Sequence, residues 1–152
     1  MKFLPLIFSL LLVLNSCQPK KEKTNQPIIN ADGSWVKKTY YEKSGAIKSE
    51  ITVKNKKKNG PAKEYYPSGN LRSLVQYTDN VTVGETIWYY ENGNPYRVTP
   101  YVNGQIEGIR KIYYEDGRLQ AEIPYKSNEL MFGTIEYDIK GKKIINQASI
   151  VF

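Results

Sequence analysis

The chain has 152 residues, 12 % of them aromatic and 24 % charged, enough for one folded domain and too balanced for a disordered chain. It contains no histidine and one cysteine, which removes the commonest general base, the commonest metal ligand and any intramolecular disulfide. A formal charge of +7 and a pI near 9.3 raise the question of nucleic acid. Acidic residues are interspersed among the basic ones, and the N-terminus reads as an export signal, so nucleic acid is not the expected partner.

Met1-Lys2 followed by Phe3–Leu14 reads as a short basic region and an apolar core, interrupted by Pro5 and too short to span a bilayer. It ends Leu14-Asn15-Ser16-Cys17, which resembles a bacterial lipobox and implies residues 1–16 as a lipoprotein signal peptide and Cys17 as the lipidation site. An ordinary signal peptide with an incidental cysteine is the alternative. A diacylglyceryl group plus an amide-linked acyl chain would anchor stably, where a single chain binds marginally. Residues 17–32 carry Lys20-Lys21-Glu22-Lys23, Pro19 and Pro27, a polar composition that reads as a flexible tether with an r.m.s. span of about 20 Å. Gln18 after the cysteine is not acidic, which by analogy with Gram-negative sorting points to the outer membrane, facing the periplasm. Exposure at the cell surface is the alternative orientation.

From residue 33 to 152 the chain is periodic. Tyr41, Tyr65, Tyr89, Tyr113 and Tyr137 fall 24 residues apart, and Gly45, Gly69, Gly93, Gly117 and Gly141 keep the same step. Such a period marks a repeat array. Asn92-Gly93 and Asp116-Gly117 are strong hairpin-turn dipeptides, and Ser44-Gly45 and Ser68-Gly69 weaker ones. After each turn apolar residues alternate with polar ones: Leu71, Val75 and Tyr77 are expected on one face, as are Ile47, Ile51 and Val53, and Leu119, Ile123 and Tyr125. Arg72, Gln76, Lys48, Thr52 and Gln120 are expected on the wetter face. This is period two, hence strand. Segments such as Asn55–Asn59 and Asn103–Glu107 read as longer, polar return loops. The expected fold is all-β: an elongated antiparallel meander of about five tandem hairpins and roughly ten strands. Pro95, Pro100 and Pro124 lack amide donors and predict irregular or edge-like pairing.

The pattern Tyr-Tyr-x-x-Gly-x-Leu, with a further glycine at Gly60, Gly84 and Gly108, resembles the MORN-type repeats, in particular the variant class common in bacterial proteins. The resemblance spans about Gly33 to Ile145. It implies β-hairpin repeats and a structural or interaction role, with no catalytic residues to carry over. Some bacterial members carry an antitoxin-like label.

A residue kept in phase in every unit usually makes the unit-to-unit contact, so the five phased tyrosines are read as structural. Tyr66, Tyr90 and Tyr114, with Trp88 beside Tyr90, are the candidate partner-binding aromatics. Lys54, Lys56, Lys57 and Lys58 read as a solvated loop that discourages edge pairing, or else as a patch for anionic headgroups. No phosphate loop or nucleophile elbow appears, and Glu50, Glu115, Asp116 and Glu122 are scattered over turns and strands. No catalytic residue, metal or cofactor is assigned. The function expected is a non-enzymatic, membrane-anchored interaction or scaffold lipoprotein with an envelope protein as partner. Alternatives are an immunity or antitoxin-like protein, or a lipoprotein binding glycans or anionic lipids.

Overall fold

A computed structural model describes residues 29–144; the expected signal segment, Cys17 and nearly all of the tether lie outside the described residues. The described chain forms one antiparallel sheet of twelve strands. In chain order these are β1 (Trp35–Tyr40), β2 (Ile47–Lys54), β3 (Lys57–Tyr65), β4 (Leu71–Thr78), β5 (Val81–Tyr89), β6 (Pro95–Val102), β7 (Gln105–Ile106), β8 (Gly108–Tyr113), β9 (Leu119–Lys126), β10 (Glu129–Leu130), β11 (Ile135–Tyr137) and β12 (Lys143–Ile144). Each strand pairs with the next along the path β1-β2-β3-β4-β5-β6-β8-β9-β11-β12, while β7 adds to β6 and β10 to β9. The sheet is an open meander of five phased-glycine hairpins, as the 24-residue step predicts.

The phased-glycine turns have a form the dipeptides did not suggest. The Tyr66 amide donates to the Asn70 carbonyl and the Gly69 amide to the Tyr66 carbonyl, and the same pair of bonds recurs at Tyr90, Tyr114 and Asp138. Only the glycine takes positive φ, 92° at Gly69 and 90° at Gly93. This is a three-residue loop closed by a left-handed glycine. Asn92 and Asp116 instead turn their side chains back, each Oδ1 accepting the amide two residues on, from Asn94 and Arg118.

The expected return loops are not long. Asn55-Lys56, Asp79-Asn80 and Ser127-Asn128 are two-residue turns with positive φ at both positions, and Asn103-Gly104 is a fourth. That geometry matches the natural twist of paired strands. Lys57 and Lys58 therefore lie inside β3 rather than on a loop.

The prolines mark real irregularities, but in interior strands. Pro100 and Pro124 lie in β6 and β9, each flanked by strands on both sides. Opposite them the neighbouring strands break: the Glu107 amide, between β7 and β8, donates to the Pro100 carbonyl, and the Met131 amide, between β10 and β11, to the Pro124 carbonyl. A residue without an amide cannot sustain both ladders, so the partner strand interrupts where the donor is missing.

One residue of register slips at the first four phased hairpins: Glu64 pairs with Ser73, but Tyr65 pairs with Leu71. Adjacent residues face opposite ways, so the slip puts Leu71 on the opposite face from Ser73, Val75 and Tyr77. The expected Leu71–Val75–Tyr77 face is thereby corrected, and the equivalent slips at Tyr40/Ile47 and Tyr113/Leu119 correct the Ile47 and Leu119 faces likewise.

No large side chain is fully buried among the described residues; the buried set is Ala121 with four small polar residues, including Ser73 at 2 % and Thr99 at 3 % exposure. A single layer has no second sheet to pack on, so cross-strand pairs and bonds along its two rims must hold it. On the return-turn rim the Asn80, Gly104 and Asn128 amides donate to the Lys58, Thr82 and Ile106 carbonyls of the unit before, and Asn80 and Asn128 accept the Lys58 and Ile106 amides on their side chains. On the other rim Asn70 Nδ2 donates to the Glu91 carbonyl, and Asn92 and Asn94 Nδ2 donate to that of Glu115. The second unit is thereby stitched to the third, and the third to the fourth, at both ends.

Candidate functional site

The two tyrosines of each repeat divide their work differently from the expectation. Tyr66, Tyr90 and Tyr114 each donate their hydroxyl to the backbone carbonyl of the next unit's first tyrosine: Tyr89 at 2.7 Å, Tyr113 at 2.9 Å and Tyr137 at 2.9 Å. The latch that joins units thus comes from the second tyrosine, and the first supplies the acceptor.

Tyr41 completes the series by donating to the Tyr65 carbonyl at 2.6 Å. It therefore stands in the place of Tyr66, although its 24-residue phase aligns it with Tyr65. The first turn is one residue longer, the Gly45 amide reaching back four residues to the Tyr41 carbonyl, and Tyr40 ends β1 as Tyr65 ends β3. At the other end Asp138 occupies the latch position, so the hydroxyl series stops at Tyr137.

Two of the first tyrosines use their hydroxyls locally. Tyr65 donates to Glu50 Oε2 at 2.8 Å and Tyr137 to Glu122 Oε2 at 3.2 Å. Desolvation, then the Glu50 bond, pushes the Tyr65 phenol up to about 12. Lys38, 2.8 Å from Glu50 Oε1, and then Tyr65 hold the Glu50 carboxyl below its usual range. These groups are structural ties in their geometry, each satisfied by a neighbour. Among the described residues no group of three or more acidic, histidine or cysteine side chains is placed to hold a metal.

Latch rings are also covered by the residue at the register slip. Lys48 lies 5.9 Å from the Tyr41 ring centre and Arg72 5.9 Å from that of Tyr66, while Tyr96 meets Tyr90 edge-on at 5.3 Å. The binding set expected from sequence is thus split: Tyr66, Tyr90 and Tyr114 line the rim, and Trp88 stands on the sheet face.

Around Trp88 the structure assembles residues that the sequence reading did not group. Trp88 pairs across strands with Ser73 and Arg97, Thr86 with Thr99, and Arg97 with Ile112, so Trp88, Arg97, Thr86, Thr99, Arg110 and Ile112 share one face. Arg97 and Arg72 approach the Trp88 ring at 5.5 and 5.8 Å, and Arg110 lies 4.5 Å over Tyr125 while donating Nη1 to its hydroxyl at 2.9 Å. Lys58 sits 4.7 Å over Tyr77. The Nε atoms of Arg97 and Arg110 and the Thr86 hydroxyl are buried without a hydrogen-bond partner. Arg72 and Arg97 stand 25 residues apart, off the repeat phase, so the period does not align them; the hairpin register does.

Comparison with known families settles the architecture. Residues 58–79, 82–103 and 106–127 match the model of the MORN repeat variant, three consecutive copies starting 24 residues apart. Residues 58–127 are a MORN-variant repeat array. Each of the first two matched stretches runs through one phased-glycine hairpin, β3-β4 and β5-β6, and the third through β7, β8 and β9. In this MORN-variant array the family unit is therefore strand, left-handed glycine turn, strand and two-residue return turn. No curated protein matches the chain.

Proposed function

We propose that this protein, with its MORN-variant array, is a non-catalytic interaction module of the bacterial cell envelope, anchored through Cys17 and engaging a protein partner with its repeat sheet. In this reading residues 1–16 are the signal peptide, 17–32 carry the lipid and the tether, and 33–152 form the binding domain at the periplasmic side of the outer membrane. The carrying observation is the sheet itself: among the described residues a single stitched layer with no second layer on either face, and with an aromatic and cationic cluster around Trp88. Such a surface suits a protein or extended polymer better than a small metabolite, which calls for an enclosing pocket. Confinement near a membrane raises the effective concentration of a partner in the same envelope, so modest contacts suffice.

Two experiments test the two halves of the proposal. In-cell photocrosslinking from position 88 should capture the same envelope protein reproducibly, while position 85 on the opposite face, where Glu85 pairs with Pro100, should not. Equal capture from both faces, or none from position 88, removes the partner claim. Metabolic labelling with a fatty-acid analogue should mark the native protein and spare Cys17→Ser. Equal labelling, or release of the mature protein as soluble material, removes the anchor.

A further inference from the structure

We infer that the row of arginines beside Trp88 is the partner-reading site, and that it takes an extended acidic segment of the partner protein. The inference rests on the interaction reading above and goes further, naming both the subsite and the chemistry of what fills it.

Arg72 in β4, Trp88 in β5, Arg97 in β6 and Arg110 in β8 occupy four successive strands of the sheet. At about 4.8 Å per strand this row spans roughly 14 Å. Its cations are held on ring faces: Arg72 and Arg97 over Trp88, and Arg110 over Tyr125. A guanidinium held against a ring keeps terminal N–H donors for a planar oxyanion; on Arg110, where Nη1 goes to the Tyr125 hydroxyl, Nη2 is the donor that faces a ligand.

The ion pairs Lys38–Glu50, Lys54–Asp32, Lys57–Asp79 and Arg118–Asp116 all leave Arg72, Arg97 and Arg110 aside. Carboxylates come to this face towards its ends, Glu64 opposite Ser73 and Glu136 opposite Ala121. In the middle, the Arg97 and Arg110 Nε donors and the Thr86 hydroxyl are shut away from water with no acceptor. Native structures rarely leave such groups unsatisfied without a role for them.

The spread of the row selects the ligand. One phosphate or headgroup reaches one guanidinium or two, whereas an extended chain rises about 3.4 Å per residue and puts alternate side chains on one side. Carboxylates at every second position of a short acidic stretch would step along the row. The Arg97 and Arg110 side chains are half-buried on the sheet face, and are better reached by narrow side chains than by the plane of a bilayer.

The probe is an end-blocked hexaglutamate peptide titrated into the purified full chain at low salt, read by the fluorescence of Trp88 in a Trp35→Phe background. Binding should saturate, weaken steeply with salt, and fall about tenfold or more in Arg97→Gln and in Arg110→Gln. Arg97→Lys, which keeps the charge and loses the fork, should also weaken it. Lys56→Gln in a return turn should leave it within about twofold, because that exposed charge is outside the row. Circular dichroism establishes that each variant retains its sheet. The inference is overturned if sheet-retaining arginine variants bind the peptide as the native chain does, if no saturable binding occurs, or if inorganic phosphate or anionic vesicles show the arginine dependence and the peptide does not. Should the peptide fail while position 88 still crosslinks to its envelope protein, the acidic-segment inference falls and the interaction reading stands. Should crosslinking fail while peptide binding holds, the reverse follows.

Discussion

Gly108→Val is expected to destabilise the sheet by about 2–3 kcal/mol, more than any turn-glycine replacement. Gly108 has φ of 109°, and a Cβ there would lie 3.3 Å from Pro100 Cγ in the neighbouring strand. A β-branched residue meets two penalties at once: a backbone conformation closed to it and a rigid proline ring in the way. Gly60→Val should behave alike, since φ is 112° and Thr52 Cβ lies 3.2 Å from the Cβ position. Gly93 supplies the contrast. Its φ of 90° is equally unfavourable, but nothing lies within 4 Å, so Gly93→Val should cost only about 1 kcal/mol. Urea midpoints of the three variants, followed by circular dichroism and fluorescence, measure the difference. A Gly108→Val protein no less stable than Gly93→Val would show that the close approach to Pro100 carries no weight.

Removing three latch hydroxyls together, Tyr66→Phe, Tyr90→Phe and Tyr114→Phe, should cost roughly 3 kcal/mol, at about 1 kcal/mol per bond. The rings remain, so the loss isolates the bonds to the Tyr89, Tyr113 and Tyr137 carbonyls. In an array where each unit touches only its neighbours, these bonds belong to the coupling between units rather than to any one unit. Unfolding should therefore broaden as well as shift, with fluorescence from Trp88, read in a Trp35→Phe background, and the dichroism of the whole sheet no longer coinciding. Tyr89→Phe is the matched control: its hydroxyl makes no hydrogen bond among the described residues, and its carbonyl survives the substitution. A triple variant that melts in one sharp transition within about half a kcal/mol of the native chain would mean the latches are incidental.

What the sequence by itself determined was local. Strand, phased turn and strand follow from period-two alternation and from glycine's access to left-handed backbone, interactions confined to a few neighbouring residues. The 24-residue step then sets the number of hairpins, and the prolines announce where pairing breaks. The turn types on both rims were obscured because Asn-Gly and Asp-Gly suit two different turns; pairing geometry chose the three-residue form at Gly93 and Gly117 and put the two-residue turns at the other rim.

Only the tertiary structure decided which residues meet. The slip of one residue at Tyr65/Leu71 turns Leu71 to the other face, and the longer first turn moves Tyr41 into the latch place of Tyr66, although arithmetic aligns it with Tyr65. Arg97 comes opposite Trp88, and Thr86, Thr99 and Arg110 join the same face, through cross-strand register rather than repeat phase. The reason is physical: repeat spacing reports what each unit shares, whereas a contact between strands depends on the count of residues through every turn and bulge between them, and one extra residue exchanges the faces.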